Sequence, residues 1–446
     1  MKGKTITSTV LLTLLLVIIF NFGISLEPVN SLSGSGSFAV QSTIDWWPMF
    51  QHDLSHTGFS SSIAPNTNHT IWTSRPGGNY QHGSAAVVDG AIYIGDNDGY
   101  VYNLNITTGA IKWKSLITGI VESSPAIEDG IAYVGSTSCR LFALNASTGE
   151  KVWNFTAGGD VDSSPSVAHG KVFVGSWDGV NGDIYALNAS TGEQVWKIVT
   201  SGVVMSSPAV VDSIVFIGSG DHNVYALNAS TGERVWNYTT GDSVYSSPSV
   251  VDGVVYVGSN DGKAYALNAT DGHLIWSQTI GLVGLSSPAV AYGTVYVGSS
   301  DHNVYALNAY TGAPIWNYTT GNYVVSSPAV AGGMVFVGSY DSSVYALNAS
   351  TGVRMWSYKT DDYVSSSAAV VNGTVFIGSG DGAFYAFGPE PVIPEFPSFL
   401  IIPLFMISTL LAVIVCQKTL PIKKEHFYIF LRARVFHEGS LRIDRK

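Results

Sequence analysis

The chain has 446 residues, a formal net charge of −11, 48 glycines and two cysteines. Two cysteines exclude a disulfide-stapled scaffold and a cysteine metal cluster, and the acid excess argues against nucleic acid as a partner, because a phosphate backbone selects basic surfaces. Length alone suggests about three domains, but internal repetition overrides that prior.

In chain order, Lys2 and Lys4 precede VLLTLLLVIIF at residues 10–20. This pattern predicts a secretory signal over residues 1–39, cleaved after the SFA of residues 37–39, with an uncleaved anchor as the alternative. Residues 40–68 form a leader expected to pack on the repetitive region that begins at residue 69. It contains DWWPMFQHDLSHTGF (residues 45–59), in which His52, Asp53 and His56 have a metal-like spacing but no helical frame to make it converge.

Residues 69–388 are repetitive. The stretch NVYALNAYTGAPIW (residues 303–316) recurs as near-copies ending at Trp113, Trp153, Trp196, Trp236, Trp276, Trp316 and Trp356, at spacings of 40, 43, 40, 40, 40 and 40 residues. An eighth, Trp72, lies 41 residues before Trp113. One unit, residues 246–279, contains SSPSVV, VVYVGS, KAYALNA and LIWSQT, separated by DG, NDG and ATDG. Four short β-rich runs joined by hairpin-turn residues within a period of about 40 describe a propeller blade. The inner-strand motif starts at Ser84, Ser123, Ser163, Ser206, Ser246, Ser286, Ser326 and Ser366. The last copy lacks its tryptophan strand, and the first tryptophan strand lacks inner strands. Joining the two closes a ring without an open edge. The expected fold is therefore all-β: an eight-bladed β-propeller of four-stranded antiparallel blades, closed by an N-terminal strand.

A Pro-rich linker (389–398) leads to FLIIPLFMISTLLAVIVC (399–416), 18 uncharged residues that as a helix would span about 27 Å, enough for a bilayer. Lys418, Lys423 and Lys424 come directly after it, so the positive-inside rule places the basic tail (417–446) in the cytoplasm and the propeller outside. Residues 41–390 carry 27 acids against 11 Lys and Arg, whereas the tail carries 8 basic residues against 3 acids. The basic tail reads as a stop at the membrane surface.

The repeats ALNASTGEKVW (143–153), ALNASTGERVW (226–236) and ALNAYTGAPIW (306–316) resemble those of the quinoprotein-type, PQQ-like eight-bladed propellers with tryptophan-docking motifs. That resemblance implies that Trp72, Trp113, Trp153, Trp196, Trp236, Trp276, Trp316 and Trp356 each pack on a neighbouring blade. It implies two functional classes: pyrroloquinoline-quinone (PQQ) dehydrogenases with Ca2+, and non-enzymatic scaffolds similar to the propeller of outer-membrane protein assembly. The dehydrogenases have an adjacent cysteine pair and long inter-blade insertions; this chain has neither, which favours no cofactor. The leader and the VIPEFPSF stretch (392–399) resemble archaeal exported, cell-surface proteins with a PEF-like anchor, although thirty residues lie beyond Cys416.

The repeats also act as an internal alignment, in which uniform columns are architecture and a variable exposed column is where individual function could lie. The residue before each inner serine pair reads His82, Glu122, Asp162, Met205, Tyr245, Leu285, Val325 and Ser365. His82, Glu122 and Asp162 come from consecutive blades, and blade three's insertion SWDGVNGD (176–183) adds Trp177 on the same face. An imidazole and two carboxylates can hold a cation or exchange protons, and the indole offers a stacking surface; the plain alternative is a wet channel mouth that tolerates charge. The Asp221-His222 and Asp301-His302 pairs fall in turns, and the repeated SSP column reads as backbone capping rather than as nucleophiles. No catalytic residue and no metal site is assigned.

Asn-x-Ser/Thr occurs at Asn68, Asn105, Asn145, Asn154, Asn188, Asn228, Asn237, Asn268, Asn317, Asn348 and Asn372. These are glycosylation candidates on an exported protein, while most also sit where a turn favours Asn. The expectation is a non-enzymatic, membrane-anchored, monomeric cell-surface propeller that binds envelope proteins or glycans. A PQQ-dependent dehydrogenase is the second reading, and a hydrolase or lyase using the His82–Glu122–Asp162 sector the third.

Overall fold

The computed structural model describes residues 44–78 and 83–389. The expected signal segment, apolar span, basic tail and His82 lie outside the described residues. Among the described residues no helix is long and apolar enough to cross a membrane.

Eight antiparallel sheets make eight blades. In blade five the strands are Ser249–Val251, Val254–Ser259, Lys263–Asn268 and Leu274–Thr279, running from the axis outward. Alternation explains the layering. The second and third strands are buried on both faces, whereas the outer strand reads exposed, exposed, buried, exposed, intermediate, exposed. Ring closure is as the two incomplete modules require: Thr70–Ser74 pairs antiparallel with Phe384–Phe387 and completes blade eight.

Each outer strand carries a bulge immediately before its tryptophan; in blade two the ladder jumps from Lys151 to Trp153. The extra residue, Val152, turns outward while Trp153 turns toward the next blade. Trp113, Trp153, Trp196, Trp236, Trp276 and Trp316 each donate Nε1–H to an alanine carbonyl of the following blade, at 2.8–3.1 Å. Trp72 reaches Ile106 O and Trp356 reaches Pro65 O. The indole lies over the glycine of the following TG turn. At Gly272 (φ +75°) a Cβ would come within 2.7 Å of the Trp236 ring, so this position requires glycine.

The serine column circles the axis. The backbone N–H of Ser84 donates to Ser124 Oγ, and the pattern continues through Ser164, Ser207, Ser247, Ser287, Ser327 and Ser367 before Ser367 N–H returns to Ser84 Oγ. The first serine of each pair accepts instead from a glycine N–H of its own blade, as Ser163 does from Gly175. These hydroxyls therefore bind backbone. The belt also corrects the register: Ser84 aligns with Ser124 rather than with Ser123, and Gly83 stands where the other blades have the first serine.

The leader winds across one end of the axis. Carbonyls of Pro48, Leu54, Ser55, Thr57 and Gly58 accept from Ile127, Val210, Val250, Val290 and Val330, the inner strands of blades two, four, five, six and seven. Trp47, fully buried, exchanges both backbone hydrogen bonds with Val87 of blade one. Inner-strand donors that would otherwise face the axis unpaired are satisfied in this way.

Candidate functional site at the open end of the channel

The inner strands run from the leader-free end of the axis toward the leader, so the residue before each serine pair rims the open end. Glu122, Asp162, Met205, Tyr245, Leu285, Val325 and Ser365 line a cavity of about 100 Å³, with Phe50 of the leader at its far end. Glu122 and Asp162 come together there; His82 lies outside the described residues. Burial and the neighbouring Asp160 carboxylate push the Glu122 carboxyl above its ordinary range.

The blade-three insertion lengthens the second and third strands to Lys171–Trp177 and Gly182–Asn188. It places Trp177 beside the mouth, but the indole is not simply a free face: Nε1–H donates to Asp162 Oδ2 at 2.7 Å, and the backbone pairs with Asp160. Cys139 Sγ–H lies 3.5 Å from Asp160 Oδ1, and burial and that carboxylate raise the thiol.

Two further columns meet on this face. Loops entering each blade offer a carbonyl to the loop between that blade's second and third strands: Tyr340 N–H donates to Tyr323 O (2.9 Å) and Gly380 N–H to Tyr363 O (2.8 Å). The equivalent pairs elsewhere are Thr137 with Ile120 and Asn260 with Ser243. Blades six to eight thus carry an aromatic row, His302–Tyr323–Tyr340–Tyr363, with ring centroids 5.3, 6.3 and 5.0 Å apart. Sequence reasoning missed it by following only the column before the serine pair. The signal was present, since NYVV and DDYV carry a tyrosine at matching repeat positions. Burial raises the Tyr340 hydroxyl, with added contributions from Tyr363 and from Glu122 across the mouth.

Blade one departs from the repeat as well, with Asp96 in place of the VGS serine. Asp96 is buried, accepts from Gly78 N–H, and is pushed well above the usual carboxylate range by burial and by Asp98.

The remaining candidates disperse. His52 bridges Asp45 and Asp53, whereas His56 points to Pro248 O and Ser166 Oγ; the trio does not converge. Burial drives the His56 imidazole down to about 4. His222 and His302 occupy left-handed turn positions (φ 73° and 75°), and their Asp221 and Asp301 neighbours accept from Tyr225 and Tyr305 hydroxyls. In the sequon turns the Asn Oδ1 accepts two backbone N–H groups, as in Asn145, Asn188, Asn228 and Asn348; Asn105 and Asn268 do the same. Asn68, Asn237 and Asn317 use their amide nitrogen in a hydrogen bond, which a glycan attached there would disturb. Asn154 Oδ1 receives Arg140, and Asn372 sits in a tight turn.

The model of the outer membrane protein assembly factor BamB matches residues 60–159, 118–201, 157–283 and 280–390. The chain belongs to that family. No curated protein matches it. Among solved structures it is similar to BamB from Moraxella catarrhalis, with a TM-score of 0.63 and 22% identity over 72% of this chain and 99% of that one. It is similar also to quinohemoprotein alcohol dehydrogenase from Comamonas testosteroni, with a TM-score of 0.69 and 18% identity over 79% and 82%. A europium-containing methanol dehydrogenase gives 0.68 and 16% over 77% and 98%. At these identities the likeness shows the fold alone, and it spans binding proteins and enzymes alike.

A quinone with a calcium ion does not suit the residues at the mouth. The cavity of about 100 Å³ is well below the roughly 300–1,000 Å³ of small-molecule sites. Among the described residues no three His, Cys, Asp or Glu side chains are grouped to hold a metal.

Proposed function

We propose that the chain is a non-catalytic binding scaffold, exported and held at the membrane by residues 399–416, that engages an envelope protein or glycan at the open end of its channel. One observation carries this reading. The blades are near-copies, yet the side chains that distinguish them (Glu122, Asp162, Trp177, Tyr323, Tyr340 and Tyr363) collect on the face that the leader does not cover. Rigid loops presented on a propeller decide what it holds, whereas the fold does not. The indoles that reach into the following blade act as docking wedges that keep this face rigid.

The test is a quinone-uptake assay run beside surface mapping. The full chain, incubated with PQQ and Ca2+, is expected to show neither stoichiometric uptake nor dye reduction by alcohols or sugars. Cross-links formed in intact cells are expected on the mouth loops. Dye reduction, or cross-links confined to the outer strands, would reject the scaffold reading.

A further inference from the structure

Around the mouth the walls differ in kind. Blades two and three contribute Glu122, Asp160, Asp162 and the Trp177 indole, while blades six to eight contribute the Tyr323–Tyr340–Tyr363 row with His302 at its end. The two walls face one another closely enough for Glu122 to act on the Tyr340 hydroxyl. Among the described residues no cation offsets Glu122: burial and Asp160 act on its carboxyl. The rings are fixed in place. Tyr340 and Tyr363 sit on loops locked by the inter-loop carbonyl bonds, and Gly380 leaves the space that Tyr363 fills, since a Cβ there would come within 2.9 Å of the phenol.

Carboxylates opposite the faces of electron-rich rings form an environment for an organic cation, which gains Coulomb attraction from one wall and the ring quadrupoles of the other. The cavity between them, about 100 Å³, has room for one head group and not for a drug-sized ligand. The ring as a whole is acidic, with 27 Asp and Glu against 11 Lys and Arg over residues 41–390, so a basic partner is drawn toward this face before it docks.

From this juxtaposition we infer that the channel mouth receives an arginine or lysine side chain from a basic segment of a protein partner. The inference rests on the scaffold reading and narrows the partner's chemistry. Planar guanidinium suits it best, because it can lie against Tyr340 while donating to Glu122.

The experiment titrates the full-length chain with acetyl-Gly-Arg-Gly-amide and, separately, with the same peptide carrying neutral citrulline, following Trp177 fluorescence and heat. The arginine peptide is expected to bind at least tenfold more tightly, with affinity falling as KCl rises. Glu122→Gln and Tyr340→Ala should each weaken it at least fivefold while unfolding at a temperature near that of the parent. Equal affinity for the two peptides, arginine binding unchanged in both variants, or no arginine binding at low salt would overturn the inference. So would tighter binding of a neutral oligosaccharide that is lost in Tyr340→Ala. If peptide binding fails while in-cell cross-links still map to the mouth, the cation pocket is wrong and the scaffold reading stands; loss of both removes the scaffold reading too.

Discussion

Replacing Trp236 by alanine should remove one of the eight wedges that hold neighbouring blades together. The indole is 8% exposed, lies over Gly272 of the next blade, and donates to Ala269 O at 2.9 Å. Burial of about 150–250 Å² at about 25 cal/mol/Å² corresponds to roughly 4–6 kcal/mol. Truncating a buried tryptophan typically costs about 3–5 kcal/mol. The carbonyl of Ala269 would also lose its donor, although a cavity open to water offsets part of that. We expect a loss of about 4 kcal/mol. Trp236→Phe keeps the stacking and loses the hydrogen bond, so about 1–2 kcal/mol is expected. Gly272→Ala forces a Cβ into the same ring at a left-handed φ, and its cost should not add to that of Trp236→Ala, because the two share one contact. Urea unfolding monitored by circular dichroism measures all four proteins. A loss below about 1 kcal/mol for Trp236→Ala, or full additivity in the double variant, would refute the wedge reasoning.

Other consequences stem from the buried charges. His56 is held neutral by burial, with its folded-state value near 4 against about 6.5 when unfolded. A depressed imidazole favours the folded state above pH 6.5, and that stability is lost as pH falls from about 6.5 toward 4. The loss amounts to about 3 kcal/mol at the low end, so His56→Gln should flatten the melting-temperature profile over that window. Glu122 is raised, so its folded state loses stability as pH rises past the ordinary glutamate range. Glu122→Gln is therefore expected to raise the melting temperature by a degree or two at about pH 7 while weakening cation binding. A lower melting temperature would show that the carboxylate stabilises the ring.

Much of the fold was legible because the repeat fixes it. The 40-residue tryptophan spacing gave the blades, and the orphan Trp72 strand complemented the truncated last module, which lacked a fourth strand. The mouth was half legible. Glu122 and Asp162 belong to one column, but Tyr323, Tyr340 and Tyr363 become one surface only when loops from consecutive blades bond to each other, a relation that spans 17 or more residues. Trp177 stands beside the mouth, yet its bond to Asp162 depends on a side-chain direction that no spacing reveals. The one-residue slip at Ser84 arose because Gly83 replaces the first serine, leaving a single hydroxyl whose partner is identified only by the belt. The leader's role as a lid, with Phe50 in the channel, was invisible because its backbone bonds to strands up to about 270 residues away.

The most direct test of the binding face is site-specific photo-crosslinking in cells, with the photoreactive residue placed at Tyr340 and, in parallel, at Val235 on the outer strand of blade four. The account predicts a discrete partner adduct at position 340 that Glu122→Gln diminishes, and none at 235. An adduct at 235 with none at 340 would contradict it.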